Sequence, residues 1–200
     1  MSTTKVDALS LQKATGIPKE ELIFHLLTGL GLVSENLQRY PENIQLRKAE
    51  FVFLTKEKVE TGGKVAIFVG FEHAKSKEYS KSSSATFDFD KKLDVIYDPS
   101  AYRWKELGFH LQLEFAGQIM REIGIAVLSS IRTGRPLPSL IIDQSFVITN
   151  SNVGLLGLKL FDESMDASAR FGSIKTVSNT LKLTFSLKEQ SPKPTTIPNV

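Results

Sequence analysis

The hexapeptide ELIFHL occupies residues 21–26, and ELGFHL, which differs from it at one position, occupies residues 106–111. Each hexapeptide opens a segment whose apolar residues recur three or four positions apart, which is the spacing of an amphipathic helix. In both halves of the chain a proline-marked break follows this segment, and three strand-like runs follow the break. The shared order predicts that the same αβββ unit occurs twice.

Local signals indicate where the two helices begin and end. Pro18 suits the first position of a helix, and the carboxylates of Glu20 and Glu21 behind it complement the helix dipole. Gly29 and Gly31 have low helix propensity, so we expect the first helix to stop or bend near them. The second helix is longer and is predicted over residues 105–131.

The strand-like runs alternate between apolar and polar residues. Phe87 and Phe89 face one way in the third run, while Thr86, Asp88 and Asp90 face the other. Leu181, Leu183, Phe185 and Leu187 likewise oppose Lys182, Thr184 and Ser186 in the last run. This pattern is typical of an antiparallel sheet that is covered on one side. The predicted strands are 44–54, 64–72, 84–91, 140–149, 153–161 and 180–188.

The predicted fold class is therefore α+β, with two tandem αβββ units whose antiparallel sheets are each covered by a helix. The two sheets either pack side by side or join edge to edge into one continuous pseudo-symmetric sheet. The predicted boundaries are an N-terminal segment (1–17), the first unit (18–92), a linker (93–104), the second unit (105–189) and a disordered tail (190–200).

Composition excludes several classes of function. The 200 residues include no cysteine, which excludes disulfides, thiolate metal sites and cysteine nucleophiles. The net charge of +3 comes without any basic tract, which is too weak to indicate nucleic-acid binding by electrostatics alone. We find no secretory signal and no apolar run of the ~18 residues that a membrane span needs, so we predict a cytoplasmic protein without membrane contact.

Groups for catalysis or metal binding are few. His110 and Glu114 are one helical turn apart and form a possible ligand pair, but a metal site needs about three ligands. His25 and His110 hold the same place in the two hexapeptides, which predicts equivalent, partly buried and hydrogen-bonded packing positions. An enzyme would instead require a deep polar pocket with one of these histidines beside a carboxylate.

Two further clusters favour ordinary surface turns. Asp162, Glu163 and Asp166 lack the glycine and the distant glutamate of a calcium loop. Arg132 and Arg135 flank a glycine turn, which is a conceivable anion site but is typical of solvated arginines. The chain also has no nucleophile-elbow, phosphate-cradling or dinucleotide motif. We therefore predict no catalytic residue, no cofactor and no metal.

Residues 8–33, ALSLQKATGIPKEELIFHLLTGLGLV, resemble the helix-turn-helix half of winged-helix regulators. Ala14, Gly16 and Ile17 fall where that pattern has small and apolar residues around its turn. The resemblance implies a DNA-binding regulator, with Lys13 and Lys19 as the residues that contact DNA. DNA binding is accordingly the alternative function.

Residues 51–93 resemble the small trypsin-co-occurring domains of bacterial genomes. A GGKVAIFV strand leads through a loop rich in serine and lysine to a final SATFDF strand. The resemblance implies a bacterial adaptor-like module of defence or effector systems, and it implies no catalytic residue.

The sequence thus predicts a non-enzymatic module that binds a protein partner or assembles with itself into a homo-oligomer. Unpaired sheet edges would favour strand addition by a peptide or by another copy of the chain. The aromatic residues of the linker either contact the partner or plug the space between the two units. The candidate contact residues are Lys75, Lys77 and Lys81 in the loop before the third strand, and Tyr97, Tyr102 and Trp104 in the linker.

Overall fold

The computed structural model confirms an α+β fold with two helices and seven strands among the residues that it describes. Those residues are 16–39, 44–59, 65–70, 79, 81–89, 105–135, 137, 139–150, 155–161 and 179–187. The helices are α1 (Lys19–Leu37) and α2 (Lys105–Thr133). The strands are β1 (Gly16–Pro18), β2 (Ile44–Val59), β3 (Val65–Gly70), β4 (Lys81–Asp88), β5 (Ser139–Asn150), β6 (Leu156–Phe161) and β7 (Asn179–Leu187).

All seven strands belong to one antiparallel sheet in the order β1-β3-β2-β7-β5-β6, with β4 also paired to β2. The long strand β2 is its centre. Residues 48–55 of β2 pair with β4 along one edge. Its other edge is shared by β7, which pairs with residues 44–52, and by β3, which pairs with residues 55–59. The strands that follow α1 and those that follow α2 therefore lie in a single sheet.

The core lies between this sheet and the two helices. The alternation predicted for β7 is confirmed, because Leu181, Leu183 and Phe185 are buried while Lys182 is exposed. Aromatic rings from both halves of the chain meet in this core, where the centroids of Phe53 and Phe146 are 6.2 Å apart in an edge-to-face arrangement.

Strand β4 follows the predicted alternation at the margin of the core. Phe87 and Phe89 are partly buried and pack against the core cluster, whereas Thr86 and Asp88 are exposed. Asp90 lies outside the described residues. The ring centroid of Phe87 is 6.2 Å from that of Phe51, so β4 extends the core beyond β2.

Helix α1 begins one residue later than predicted and ends later than predicted. Pro18 is the N-cap, with φ of −55° and ψ of 132°, and not the first helical residue. Of the two expectations at Gly29 and Gly31, a stop or a bend, the stop is wrong, since α1 continues to Leu37. A Cβ atom on Gly29 would lie 2.8 Å from the Phe115 ring. This glycine therefore permits close packing against α2 and does not end the helix.

Helix α2 matches its prediction within two residues. It ends at Thr133 because Gly134 adopts a left-handed conformation with φ of 63°, which glycine tolerates best. The amide of Gly134 donates to the carbonyl oxygen of Ile131 at 3.3 Å and closes the last turn. The helix therefore ends with a common glycine C-cap.

The three-residue strand β1 was not predicted. Gly16, Ile17 and Pro18 pair with Gly70, Val69 and Phe68 of β3, and Ile17 is completely buried. A Cβ atom on Gly16 would lie 2.6 Å from the Tyr79 hydroxyl, so the strand is packed closely on that side as well. Three residues are too few to show the alternation of a strand in the sequence. Pairing with β3 and the burial of Ile17 define this strand instead.

Candidate functional site

The two hexapeptides that open the helices lie in contact with each other. The imidazole of His25, which is 1% exposed, occupies the space that a Cβ atom on Gly108 would fill. Gly108 is the one position at which the hexapeptides differ, since Ile23 stands in its place in the first copy. The contact between the two hexapeptides thus requires glycine at position 108, because any larger residue would overlap the His25 ring.

A single hydrogen bond fixes His25 in this contact. Its Nδ1 atom lies 2.9 Å from Nε2 of Gln112. The amide nitrogen of glutamine can only donate, so Nδ1 of the ring accepts. The ring proton therefore lies on Nε2, which is buried without a hydrogen-bond partner. Burial lowers the pKa of His25 to about 4, so the ring is neutral near pH 7.

Glu21 lies one helical turn before His25 and on the same face of α1. Its Oε1 atom is also buried without a partner. Burial raises the pKa of Glu21 to about 8, so the carboxyl group holds its proton near pH 7. The start of α1 therefore carries an acid and a base that are both uncharged, which favours a packing role over proton transfer. Among the described residues no group of three or more metal-binding side chains is found.

His110 has a different environment from His25, and the prediction that the two histidines pack equivalently is wrong. Its side chain is 48% exposed, its Nδ1 atom donates to the carbonyl oxygen of Leu156 at 3.2 Å, and its Nε2 atom lies 3.8 Å from Oε1 of Glu114. The reason is geometric: His25 faces the other helix, whereas His110 faces strand β6. The possible ligand pair of His110 and Glu114 thus serves as a contact to the sheet.

Three polar residues of α2, one turn apart, bind the outer edge of β6. Besides the bond from His110, Oε2 of Glu114 accepts from the amide of Leu158 at 2.9 Å. Gln118 accepts from the amide of Leu160 at 2.7 Å and donates to the carbonyl oxygen of Leu158 at 2.5 Å. Among the described strands none pairs with β6 on this edge, and these side chains take that place. The helix therefore blocks strand addition at β6.

We expect the double variant Glu114→Ala, Gln118→Ala to lose about 2 kcal/mol of unfolding free energy, because three hydrogen bonds to the β6 backbone are removed. It should also aggregate faster, since an unprotected edge recruits further strands. Urea denaturation and thioflavin T fluorescence measure the two effects. Glu122→Ala, a glutamate two turns further along α2, is the control. Equal aggregation of both variants would contradict the protective role.

The outer face of α2 is apolar and exposed. Large hydrophobic side chains that are more than two-fifths exposed lie along this helix, and the described residues outside α2 contain only two such cases, Val52 and Ile141. Monomeric soluble proteins rarely expose large apolar patches, and such patches often mark interaction sites. The side chains on α2, with their exposed fractions, are Phe109 (56%), Leu113 (49%), Ile125 (54%), Leu128 (56%) and Ile131 (66%).

The structure describes one residue predicted to contact DNA, Lys19, and one predicted to contact a protein partner, Lys81. The Lys19 ammonium donates to Oγ of Ser83 at 2.6 Å and so joins the start of α1 to β4. Lys81 is the exposed first residue of β4, and its carbonyl oxygen accepts from the Thr55 hydroxyl at 3.3 Å. The following predicted features lie outside the described residues: Lys13, Lys75, Lys77, Tyr97, Tyr102, Trp104, Asp162, Glu163, Asp166, the linker 93–104 and the tail 190–200.

Arg132 and Arg135 are both exposed at the end of α2. The Ser130 hydroxyl donates to the carbonyl oxygen of Arg135 at 2.5 Å, which fixes the backbone of the turn and leaves the arginine side chains outside it. This arrangement agrees with a turn carrying solvated arginines.

Comparison of the chain with protein-family models, with curated proteins and with solved structures finds no match. Neither described helix is long and apolar enough to cross a membrane. Function must therefore be argued from the surfaces and groups described above.

Proposed function

We propose that this protein is a non-enzymatic protein-interaction or self-assembly module, and that the outer face of α2 is its contact surface. The observation that carries the proposal is the row of exposed apolar side chains on that face, from Phe109 to Ile131. Leaving such a row in water is unfavourable by ~25 cal/mol for each Å² of apolar surface. A partner that covers it recovers this free energy.

The dimensions of α2 fit this role. The helix has 29 residues, which corresponds to a length of ~43 Å at 1.5 Å per residue. Its inner face is occupied by buried residues such as Leu111, Phe115 and Ile119, so the outer row is a second apolar face on the same helix. A helix that is apolar on two opposite faces is expected to be covered on both.

The two halves of the chain also support an internal duplication, which we propose as the origin of the fold. Strand β2 pairs with both β3 and β4, and strand β5 pairs with both β6 and β7. The first strand after each helix is therefore the centre of its own three-stranded unit. Strand β7 joins the units by pairing with β2 as well.

Light scattering on matched variants tests the proposed contact surface. Leu128→Lys places a charge on the apolar face, and Ser129→Lys places the same charge on the neighbouring exposed position outside it. We expect the wild-type chain to form a multimer of its 22.2 kDa subunit, and only Leu128→Lys should reduce that mass. A multimer that both variants leave intact would assign assembly to the sheet edges and contradict a role for α2.

DNA binding at residues 8–33 is the alternative function, and light scattering with added duplex DNA tests it. Lys19, one of its two predicted contacts, is engaged with Ser83 in the structure, and the exposed Glu20 beside it repels phosphate. We therefore expect the scattering mass to be unchanged by duplex DNA at low salt. A complex that forms at low salt and dissociates at high salt would favour the alternative.

A further inference from the structure

The C-terminal half of α2 combines exposed apolar and exposed basic side chains on one stripe. Arg121, Ile125, Leu128 and Arg132 lie four, three and four positions apart, which places them on the same face of the helix. Ile125 and Leu128 are each more than half exposed, and both arginines are exposed as well. This arginine-flanked stripe therefore presents two aliphatic side chains with an arginine at each end.

The described part of the chain supplies no carboxylate that compensates the charge of this stripe. Arg135, in the turn after the helix, is a third exposed arginine at the same end. The exposed residues between 121 and 135 include these three arginines and no aspartate or glutamate. Glu122 follows Arg121 directly, and adjacent residues do not face each other on a helix. None of the three arginines forms an ion pair with another described residue, so their guanidinium groups are available to a partner.

We infer that the arginine-flanked stripe binds an acidic amphipathic segment of a partner protein, in which carboxylates flank an apolar pair. The apolar pair covers Ile125 and Leu128. The carboxylates pair with Arg121 and Arg132, because a guanidinium group binds a carboxylate through two parallel hydrogen bonds. The two arginines are ~16 Å apart along the helix at 1.5 Å per residue, so a helical partner segment needs carboxylates about eleven residues apart. This inference rests on the proposed function and names the chemistry of the partner.

The combination of charge and apolar surface favours a protein segment over a nucleic acid or a membrane. A phosphate backbone binds the positive charges but offers no apolar surface to cover Ile125 and Leu128. Attachment to anionic lipid headgroups is typical of clusters of about 4–8 basic residues, which is more than the stripe and its turn supply. Arginine is also among the residue types that contribute most to binding at protein interfaces.

Selection from a display library of random peptides, each about 16 residues long, tests the inference. We expect the peptides recovered on the wild-type chain to carry aspartate or glutamate on both sides of an apolar pair. The double variant Arg121→Glu, Arg132→Glu should weaken their binding at least ~10-fold, because attractive pairs become repulsive ones. Arg39→Glu, which reverses an exposed arginine just after α1, is the matched control and should bind like the wild type. Recovered peptides that bind the double variant as tightly as the wild type would overturn the inference.

A charge swap gives a readout that loss of folding would not produce. The recovered peptides are synthesised again with lysine in place of each acidic residue. These lysine peptides should bind the double variant Arg121→Glu, Arg132→Glu more tightly than they bind the wild type, and fluorescence anisotropy measures both affinities. Lysine peptides that bind neither protein, while the acidic peptides still bind the wild type, would show that charge pairing at these two arginines is not the contact.

The outcomes with Leu128→Lys separate this inference from the proposed function. Peptides that lack acidic residues and lose binding in Leu128→Lys would overturn the inference and leave the proposed contact surface standing. The same holds if no peptide is recovered but the wild-type multimer dissociates in Leu128→Lys. If Leu128→Lys changes neither peptide binding nor the scattering mass, both proposals are wrong.

Vesicles and DNA test the two other classes of partner. Vesicles of phosphatidylserine and phosphatidylcholine should leave the wild-type chain in the supernatant after sedimentation. Sedimentation with the vesicles that is lost both in Leu128→Lys and in the double variant Arg121→Glu, Arg132→Glu would assign the stripe to an anionic membrane and overturn the inference. A complex with duplex DNA that is lost in the same variants would assign it to a nucleic acid and overturn the inference as well.

Discussion

Gly108→Ala is expected to lower the free energy of unfolding by about 3 kcal/mol, the upper part of the range for overpacking a core. The added Cβ atom would overlap the imidazole of His25. The ring has no free space to move into, since it is 1% exposed and is bound by Gln112. Either α1 and α2 separate, or His25 leaves its rotamer and loses the hydrogen bond. Urea denaturation measures the loss.

A double-mutant cycle identifies the clash as the cause. His25→Ala removes the ring and lowers stability by itself. In the His25→Ala background, Gly108→Ala should lower stability much less than in the wild type, so the effects of the two substitutions should not add. Gly117→Ala is the matched control on the same helix, where nothing lies near the added atom and alanine should stabilise the monomer. A Gly108→Ala variant that is as stable as Gly117→Ala would show that the two hexapeptides are not in contact in solution.

Local periodicity was sufficient to predict both described helices and six of the seven described strands. The alternation in β7 and the four-residue spacing in α2 arise from burial on one face, and burial was confirmed at Leu183 and Ile119. Strand β1 was missed because three residues show no period. The end of α1 was misplaced because Gly29 serves a neighbouring helix, and helix propensity takes no account of neighbours.

The surroundings of the two histidines could not be predicted from the repeat. Identical positions in two hexapeptides suggested identical surroundings, yet one histidine faces a helix and the other a strand edge. Where the two hexapeptides pack on each other, the His25 ring leaves no room for a side chain at residue 108. The second hexapeptide accordingly has Gly108 where the first has Ile23. That single difference was the available signal for the contact.

The outer face of α2 was also visible in the sequence and was missed. Leu113 and Leu128 are spaced for a second apolar stripe, but the stronger stripe through Phe115 and Ile119 accounts for a core helix by itself. Only the exposed fractions show that the second stripe is not part of the core. The sequence-based search for contacts therefore turned to loops and to the linker.

The stability of the protein is expected to be greatest at mildly acidic pH, because Glu21 and His25 have opposite effects. The folded state keeps the Glu21 carboxyl protonated up to a pKa of about 8, whereas the unfolded chain releases this proton near 4.5. Stability from this group therefore falls as the pH rises through that range. The pKa of His25 is lowered from 6.5 to about 4, so its contribution rises with pH between those values. The two slopes cancel between about pH 4.5 and 6.5, and above this range only the loss from Glu21 remains.

Between pH 6.5 and 8 the wild-type protein should thus lose at most about 2 kcal/mol, which is 1.36 kcal/mol for each pH unit over which one proton is released. Because Glu21 is only partly buried, solvent screening reduces the loss below this limit. Glu21→Gln keeps a neutral side chain at every pH and should remove this loss, so that the variant is more stable than the wild type at pH 8.5. Glu20→Gln, the exposed neighbour, should keep the wild-type profile. Urea denaturation at pH 5.5, 6.5 and 8.5 measures all three proteins. If Glu21→Gln declined as steeply as the wild type, the proton responsible would belong to another group, and the Glu21 carboxyl would not be buried in solution.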